Sequence, residues 1–175
     1  ARLFREGQLF QFSSRGEIFS SPAYWNGIVY VGSSDHRLYA VNAASGRGVW
    51  EFVSGGEIAG SPTYANERVY FGSTDRRVYC LDAQTGQKLW EHQTEDEIHS
   101  SPAVWGECLY VGSRDHFLYA LDSRTGELRW RFATGDWVHC SPVISGNIVY
   151  CGSHDKKLYA IEAESGVLVW EYQTA

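Results

Sequence analysis

His99 and His139 are two imidazoles in matching sequence contexts forty positions apart. An architecture that repeats at that period brings them side by side. A metal centre needs three or four ligands at about 2.0–2.3 Å. Only two are visible, and Cys140, next to His139, falls on the opposite side of any strand that carries both. The pattern therefore reads as polar histidines beside a channel, with no metal site expected. Glu57 and Glu97 share the spacing and are the candidates for an acid and base pair. Nothing sets them at the roughly 5–9 Å that glycoside chemistry uses, and solvated or structural glutamates are the simpler reading. Neither GxSxG nor HExxH occurs. No catalytic residue and no cofactor are expected.

The elements that position these residues follow from the same period. The text beginning at Glu17 returns at Glu57, Glu97 and Trp137 without an insertion, so the repeat is the first thing to interpret. Within the first copy, residues 20–25, 28–33, 37–42 and 49–53 are rich in Val, Tyr and Trp, and NG, SDH and ASGRG separate them with turn chemistry. Connections this short join only antiparallel neighbours. Each copy is thus expected to be a four-stranded meander, and sheets of this size must stack face to face to bury their apolar sides. Four-stranded units of about 40 residues are the signature of propeller blades. The expected layout is all-β, with an N-terminal outer strand in 1–16 and blades at 17–56, 57–96, 97–136 and 137–175.

Residues common to all copies have mechanical readings. Gly32, Gly72, Gly112 and Gly152 sit in the second strand, where a missing side chain admits a close neighbour. Asp35, Asp75, Asp115 and Asp155 follow as turn locks that accept from the turn's own amides. Gly46, Gly86, Gly126 and Gly166 supply the turn before the fourth strand, and Trp50, Trp90, Trp130 and Trp170 are expected to bury large apolar area between sheets.

The segments AVNAASGRGVW, CLDAQTGQKLW, ALDSRTGELRW and AIEAESGVLVW resemble the tryptophan-docking motif of the PQQ-like, quinoprotein-type β-propeller repeat, roughly Ala-x-Asp-x-x-Thr-Gly-x-x-x-Trp. The resemblance covers residues 17–175. It departs at Asn42 and Glu162 in the Asp position, Ser45 and Ser165 in the Thr position, and Cys80 in the Ala position. It implies that each Trp docks on the neighbouring blade. Relatives that are dehydrogenases hold a quinone with adjacent cysteines, an Asp base and a calcium bound by carboxylate and amide oxygens; no Cys-Cys pair occurs here. Other relatives implied by the resemblance are assembly scaffolds, sensor domains and modules of larger enzymes.

Residues 8–12 (QLFQF) align with GVWEF forty positions on, placing Phe10 at the Trp position and Phe12 at that of Phe52. The chain therefore opens and closes on an outer strand. Three arrangements fit: a piece of a seven- or eight-bladed propeller, a small four-bladed ring, or two chains sharing an eight-bladed ring as a homodimer.

In each arrangement the loops before the first strand and after the second share one face around the channel. They carry Glu57, Glu97 and Trp137 with His99 and His139, then His36, Arg76, His116 and Lys156, with Arg114 and His154 nearby. These positions vary among copies on a fixed framework, as a binding surface on a repeated scaffold does. Trp25 and Trp105 lie near the turn between first and second strands, as partner contacts or as local packing.

Composition narrows the partners. The chain has 175 residues, 43% hydrophobic and 21% charged, enough for one domain. Fifteen Lys and Arg against twenty-one Asp and Glu leave a net charge of −6, which argues against nucleic acid and anionic membranes. No apolar run approaches the roughly 18 residues of a membrane span. Cys80, Cys108, Cys140 and Cys151 form no CxxC pair and read as free thiols, which leans cytoplasmic, while the resemblance also allows a periplasmic or extracellular setting. The function expected is a non-catalytic scaffold that recognises a protein or small ligand on the channel face. The alternatives are a fragment of a quinoprotein-type oxidoreductase and a homodimerising half-propeller.

Overall fold

The computed structural model describes residues 10–174. The first sheet is β1 (Ala23–Trp25), β2 (Ile28–Gly32), β3 (Arg37–Asn42) and β4 (Gly48–Val53). The second is β5 (Thr63–Ala65), β6 (Arg68–Ser73), β7 (Arg77–Asp82) and β8 (Lys88–Gln93). The third is β9 (Ala103–Trp105), β10 (Cys108–Gly112), β11 (Phe117–Asp122) and β12 (Leu128–Ala133). The fourth is β13 (Val143–Ser145), β14 (Ile148–Gly152), β15 (Lys157–Glu162) and β16 (Leu168–Gln173). In every sheet the strands lie in chain order and pair antiparallel.

Local chemistry sets these boundaries. Asn26 and Gly27 both take positive φ (46° and 81°), the conformation that two-residue hairpins need. The first strand is shorter than residues 20–25 because its leading residues are engaged elsewhere. Ser20 Oγ accepts from Gly32 N at 2.9 Å, and Ser21 N donates to Ser61 Oγ of the next sheet at 2.8 Å. Pro22 has no N–H to give to a ladder. In the fourth strand the register slips opposite Ala40/Val41 and its three counterparts, a bulge that turns the preceding pleat and aims the Trp sideways.

The sheets stack through three cores. Tyr30, Leu38 and Ala40 of the first sheet meet Ile58, Phe71 and Leu81 of the second. Tyr70, Val78 and Trp90 meet Leu109, Val111 and Leu121, and Tyr110, Leu118 and Ala120 meet Val149, Cys151 and Ile161. The short first strands of successive sheets adjoin, which places them innermost. Gly32, Gly72 and Gly112 make room for this stacking: a Cβ on any of them would collide with Ile58, Ile98 or Val138 of the next sheet.

Each of the four repeated Asp residues does more than close its own turn. Asp75 Oδ1 accepts from Arg77 N at 3.1 Å, while Oδ2 accepts from Tyr79 Oη at 2.6 Å and from Gly55 N of the preceding sheet's outgoing loop at 2.7 Å. Asp115 and Asp155 repeat the clasp on Glu95 N and Gly135 N, and Asp35 does so on Arg15 N.

Of the three arrangements that the sequence left open, the small four-bladed ring is not the one seen: among the described residues no core joins the fourth sheet to the first, and these residues form an open arc. Residues 10–12, expected as part of an outer strand, lie against the first sheet without a backbone ladder; residues 8 and 9 fall outside the described residues. A fourth strand pairs with the third strand of its own blade, and among the described residues no such strand precedes residue 10. The same openness leaves Trp170 43% exposed, whereas Trp90 is 8% exposed.

Candidate functional site

In each blade the loop entering the first strand and the loop leaving the second are tied together on one side of the arc. Ser34 N donates to Glu17 O, Thr74 N to Glu57 O, Arg114 N to Glu97 O and His154 N to Trp137 O, all at 2.9 Å. This repeated bond sets the side chains of one loop beside those of the other in every blade.

Between the third and fourth blades the result is a dense cluster. His99 and His139 stack with ring centroids 4.9 Å apart, and His154 lies 4.8 Å from His139. Arg114 Nε donates to His139 Nε2 at 2.8 Å, and its Nη1 donates to Glu97 Oε2 at 2.5 Å. The same Glu97 oxygen lies 2.9 Å from His99 Nε2. Trp137 stacks on His139 and takes the Arg114 guanidinium over its ring at 4.7 Å. Burial, then the charges and dipoles of His99, Arg114 and His154, push the His139 pKa below its ordinary value, with Glu97 acting weakly the other way. His139 is therefore a neutral acceptor for Arg114 at neutral pH.

The remaining predicted residues are more dispersed. His36, Arg76, His116 and Lys156 take positive φ of 68–73°, and their carbonyls accept from Ser54, Thr94, Thr134 and Thr174 N–H groups. Their common position is thus dictated by the turn, and only their side chains are free to differ. His116 Nε2 lies 3.9 Å from Asp136 Oδ1. Glu57 anchors its loop through its backbone to Thr74 and does not join Glu97. Trp25 stacks on Tyr64 at 4.7 Å, which is packing, while Trp105 is partly exposed beside Arg129 and Glu164.

Sequence reasoning missed the ion pair of Glu97 with Arg114, although the two positions are already loop partners in each copy. It also missed a thiol pair. Cys140 stands where two other copies have Ser20 and Ser100 and accepts from Gly152 N at 2.9 Å. A hydrogen bond from Cys151, opposed by burial and aided by Gly152 N–H, lowers its pKa to about 7, while that bond and burial raise Cys151. The signal was the replacement of a repeated Ser by Cys.

Four stacked four-stranded meanders around a common inner edge define a β-propeller segment. The sequence profile described as outer membrane protein assembly factor BamB matches residues 7–101 and 75–175, and the chain belongs to this family of PQQ-like repeats. Among solved structures, BamB from Moraxella catarrhalis superimposes with a TM-score of 0.84 at 16% identity, over 95% of this chain and 56% of that one. The quinohemoprotein alcohol dehydrogenase ADHIIG from Pseudomonas putida HK5 gives 0.84 at 20% identity, over 95% and 35%. The computationally designed Ika4 protein gives 0.80 at 19% identity, over 90% of this chain and 99% of that one. The chain thus spans about half of that BamB and about a third of the dehydrogenase. No curated protein matches it by sequence.

Among the described residues no group of three or more His, Cys, Asp or Glu is placed to hold a metal ion. The four cysteines are free, and the neighbouring pair Cys140 and Cys151 is not adjacent in sequence. Among the described residues no helix is long and apolar enough to cross a membrane.

Proposed function

We propose that this chain is a non-catalytic recognition and assembly scaffold whose contact surface is the cluster of Arg114, Trp137, His99, His139 and His154. The observation that carries the reading is the interlocked geometry of that cluster. One guanidinium is held at once by a carboxylate, an imidazole and an indole face, so the surface is ordered before any partner arrives. Preorganised Trp and Arg groups are the residues that anchor protein interfaces. The description of the family as an assembly factor supports the same reading. A protein segment bearing a carboxylate and an aromatic side chain matches the exposed edges of Arg114, His154 and Trp137.

The test is selection of displayed peptides on the purified chain, followed by affinity measurement on Arg114→Ala and Trp137→Ala. Enriched peptides that bind the unaltered chain at least about tenfold more tightly than either variant support the reading, as loss of an interface anchor is worth more than about 1 kcal/mol. The competing reading, a fragment of a quinoprotein-type oxidoreductase, gains if the chain binds pyrroloquinoline quinone stoichiometrically and supports dye-linked alcohol oxidation. That result, or peptides indifferent to both substitutions, overturns the scaffold.

A further inference from the structure

We infer that a cavity between the third and fourth blades, at the strand ends opposite the histidine cluster, is a seat for a guanidinium group, carried by an arginine side chain or by a small molecule. The neighbouring interface shows such a seat when it is filled. Arg68, on the second blade, crosses to the third and donates from Nη1 to Ser123 O at 3.2 Å and to Arg124 O at 2.8 Å. Ser123 O also accepts from Trp90 Nε1 at 3.2 Å and from Tyr70 Oη at 3.0 Å. One backbone turn of the third blade thus holds three side chains of the blade before it.

At the next interface the same turn is present and the arginine is missing. Ala163 O accepts from Trp130 Nε1 and Tyr110 Oη at 3.0 Å. The position of Arg68 is held by Cys108, a side chain too short to cross between blades. Glu164 O, the counterpart of Arg124 O, receives no donor among the described residues. In place of the arginine is a cavity of about 300 Å³ lined by Trp105, Glu107, Cys108, Tyr110, Arg129 and Glu164. The interface of the first and second blades also lacks the arginine, having Ile28 there. Trp25 stacks on Tyr64 at 4.7 Å in that interface, and a pocket of about 60 Å³ remains. The fourth blade has Ile144 in the place of Tyr64, and Trp105 stays 38% exposed.

The lining suits a planar cation. Glu107 and Glu164 supply carboxylates, and Trp105 supplies a partly exposed indole, the ring that attracts cations most strongly. Arg129 does not cancel the carboxylates, because its Nη2 is held by Asp122 Oδ2 at 2.7 Å and lies 3.5 Å from Glu107 Oε2. Three carboxylates therefore stand against one guanidinium. Asn147, whose carbonyl accepts from Ala163 N at 2.9 Å, adds a buried Oδ1 that has no donor. An ammonium is a compact point charge, whereas a guanidinium spreads five N–H donors over a plane. That spread is what lets Arg68 bond two successive carbonyls. Both walls belong to adjoining blades of this chain, so the seat does not depend on what covers the outer faces of the arc.

The test is a nuclear magnetic resonance titration of the 175-residue chain that follows the Trp105 indole N–H. The probes are N-acetyl-arginine amide, a short peptide with one arginine, and the lysine counterpart of each. A saturable shift is expected with the arginine probes, with affinity at least about tenfold above that of the lysine probes. Glu164→Gln, at an exposed turn position, is expected to weaken binding about tenfold, the loss of one charge-assisted hydrogen bond. Cys108→Arg supplies the group from within, as Arg68 does, and is expected to abolish binding. If circular dichroism shows that this variant does not fold, Glu164→Gln decides alone. A peptide bound at least about tenfold more tightly than the free amide assigns the seat to an arginine of a polypeptide partner; equal affinities assign it to a small molecule. No Trp105 shift with either arginine probe overturns the proposal. So do lysine probes that bind as tightly, binding unchanged in Glu164→Gln, or binding that persists in folded Cys108→Arg.

Discussion

Trp90 and Gly126 fit each other because one has a large flat ring and the other has no side chain. A Cβ on Gly126 would stand 2.6 Å from the indole, and its φ of +78° is one that other residues rarely adopt. The indole N–H then reaches Ser123 O at 3.2 Å. The same relationship holds for Trp50 with Gly86 and Trp130 with Gly166.

Trp90→Ala therefore removes a buried aromatic wedged between two sheets, and a loss of about 3–5 kcal/mol is expected in urea unfolding. Trp170→Ala alters the same sequence motif where, among the described residues, no sheet covers the indole, and a change within about 0.5 kcal/mol is expected for this 175-residue chain as a monomer, as at ordinary surface positions. Comparable losses for both would contradict the open arc.

The Asp155 clasp predicts an acid limit. Burial opposes the charge on Asp155, but hydrogen bonds from Tyr159 Oη, Gly135 N and Lys157 N outweigh it and hold the pKa below the ordinary carboxylate value. A carboxylate depressed in the folded state contributes stability that is complete above its unfolded pKa, about 3.9. That contribution is lost as pH falls through the lower folded value. Asp155→Asn is expected to lower stability at neutral pH and to flatten the decline below about pH 4. An unchanged acid limb in chemical denaturation would remove the clasp from the account.

Legibility differed between framework and face for physical reasons. The period, the turns and the Trp–Gly spacing were plain in the sequence because every blade repeats the same mechanical problem, as Asp35, Asp75, Asp115 and Asp155 do with one solution. Whether the ends meet was not legible, since closure depends on small rotations between sheets that no residue type encodes. His99 and His139 were traceable to adjacent loops by phase alone. Their partners were not, because Arg114 has to curl back across two loops to reach both Glu97 and His139. Residues 10–12 show no ladder although the text QLFQF matches a fourth strand, because a fourth strand also needs the third strand of its blade, and none precedes them among the described residues.

The histidine cluster has its own titration. His139 is held below the ordinary histidine pKa by burial and by His99, Arg114 and His154, with Glu97 opposing them. A histidine lowered in the folded state stabilises above the unfolded value of about 6.5, and that contribution is lost as pH falls through the folded value. Nuclear magnetic resonance of the ring protons is expected to give a His139 midpoint below 6.5. Arg114→Gln removes the donor to Nε2 and the nearby positive charge, so the midpoint is expected to rise. A midpoint that stays put or falls in Arg114→Gln would show that Arg114 does not control this ring.

The cysteines are expected to separate by reactivity. Cys140 is lowered to about 7 by the hydrogen bond from Cys151 and by Gly152 N–H, against the effect of burial, so a substantial fraction is thiolate at neutral pH. Cys80, Cys108 and Cys151 are buried, and burial first of all raises Cys80 to about 12. A thiol-specific reagent with mass-spectrometric mapping is expected to label Cys140 well before the other three, with a rate that climbs through about pH 7. Cys140→Ser restores the hydroxyl that Ser20 and Ser100 carry at this point and accepts the same amide, so it is expected to abolish the fast phase with little loss of stability. Persistence of fast labelling in that variant would place the reactive thiolate elsewhere in the blade.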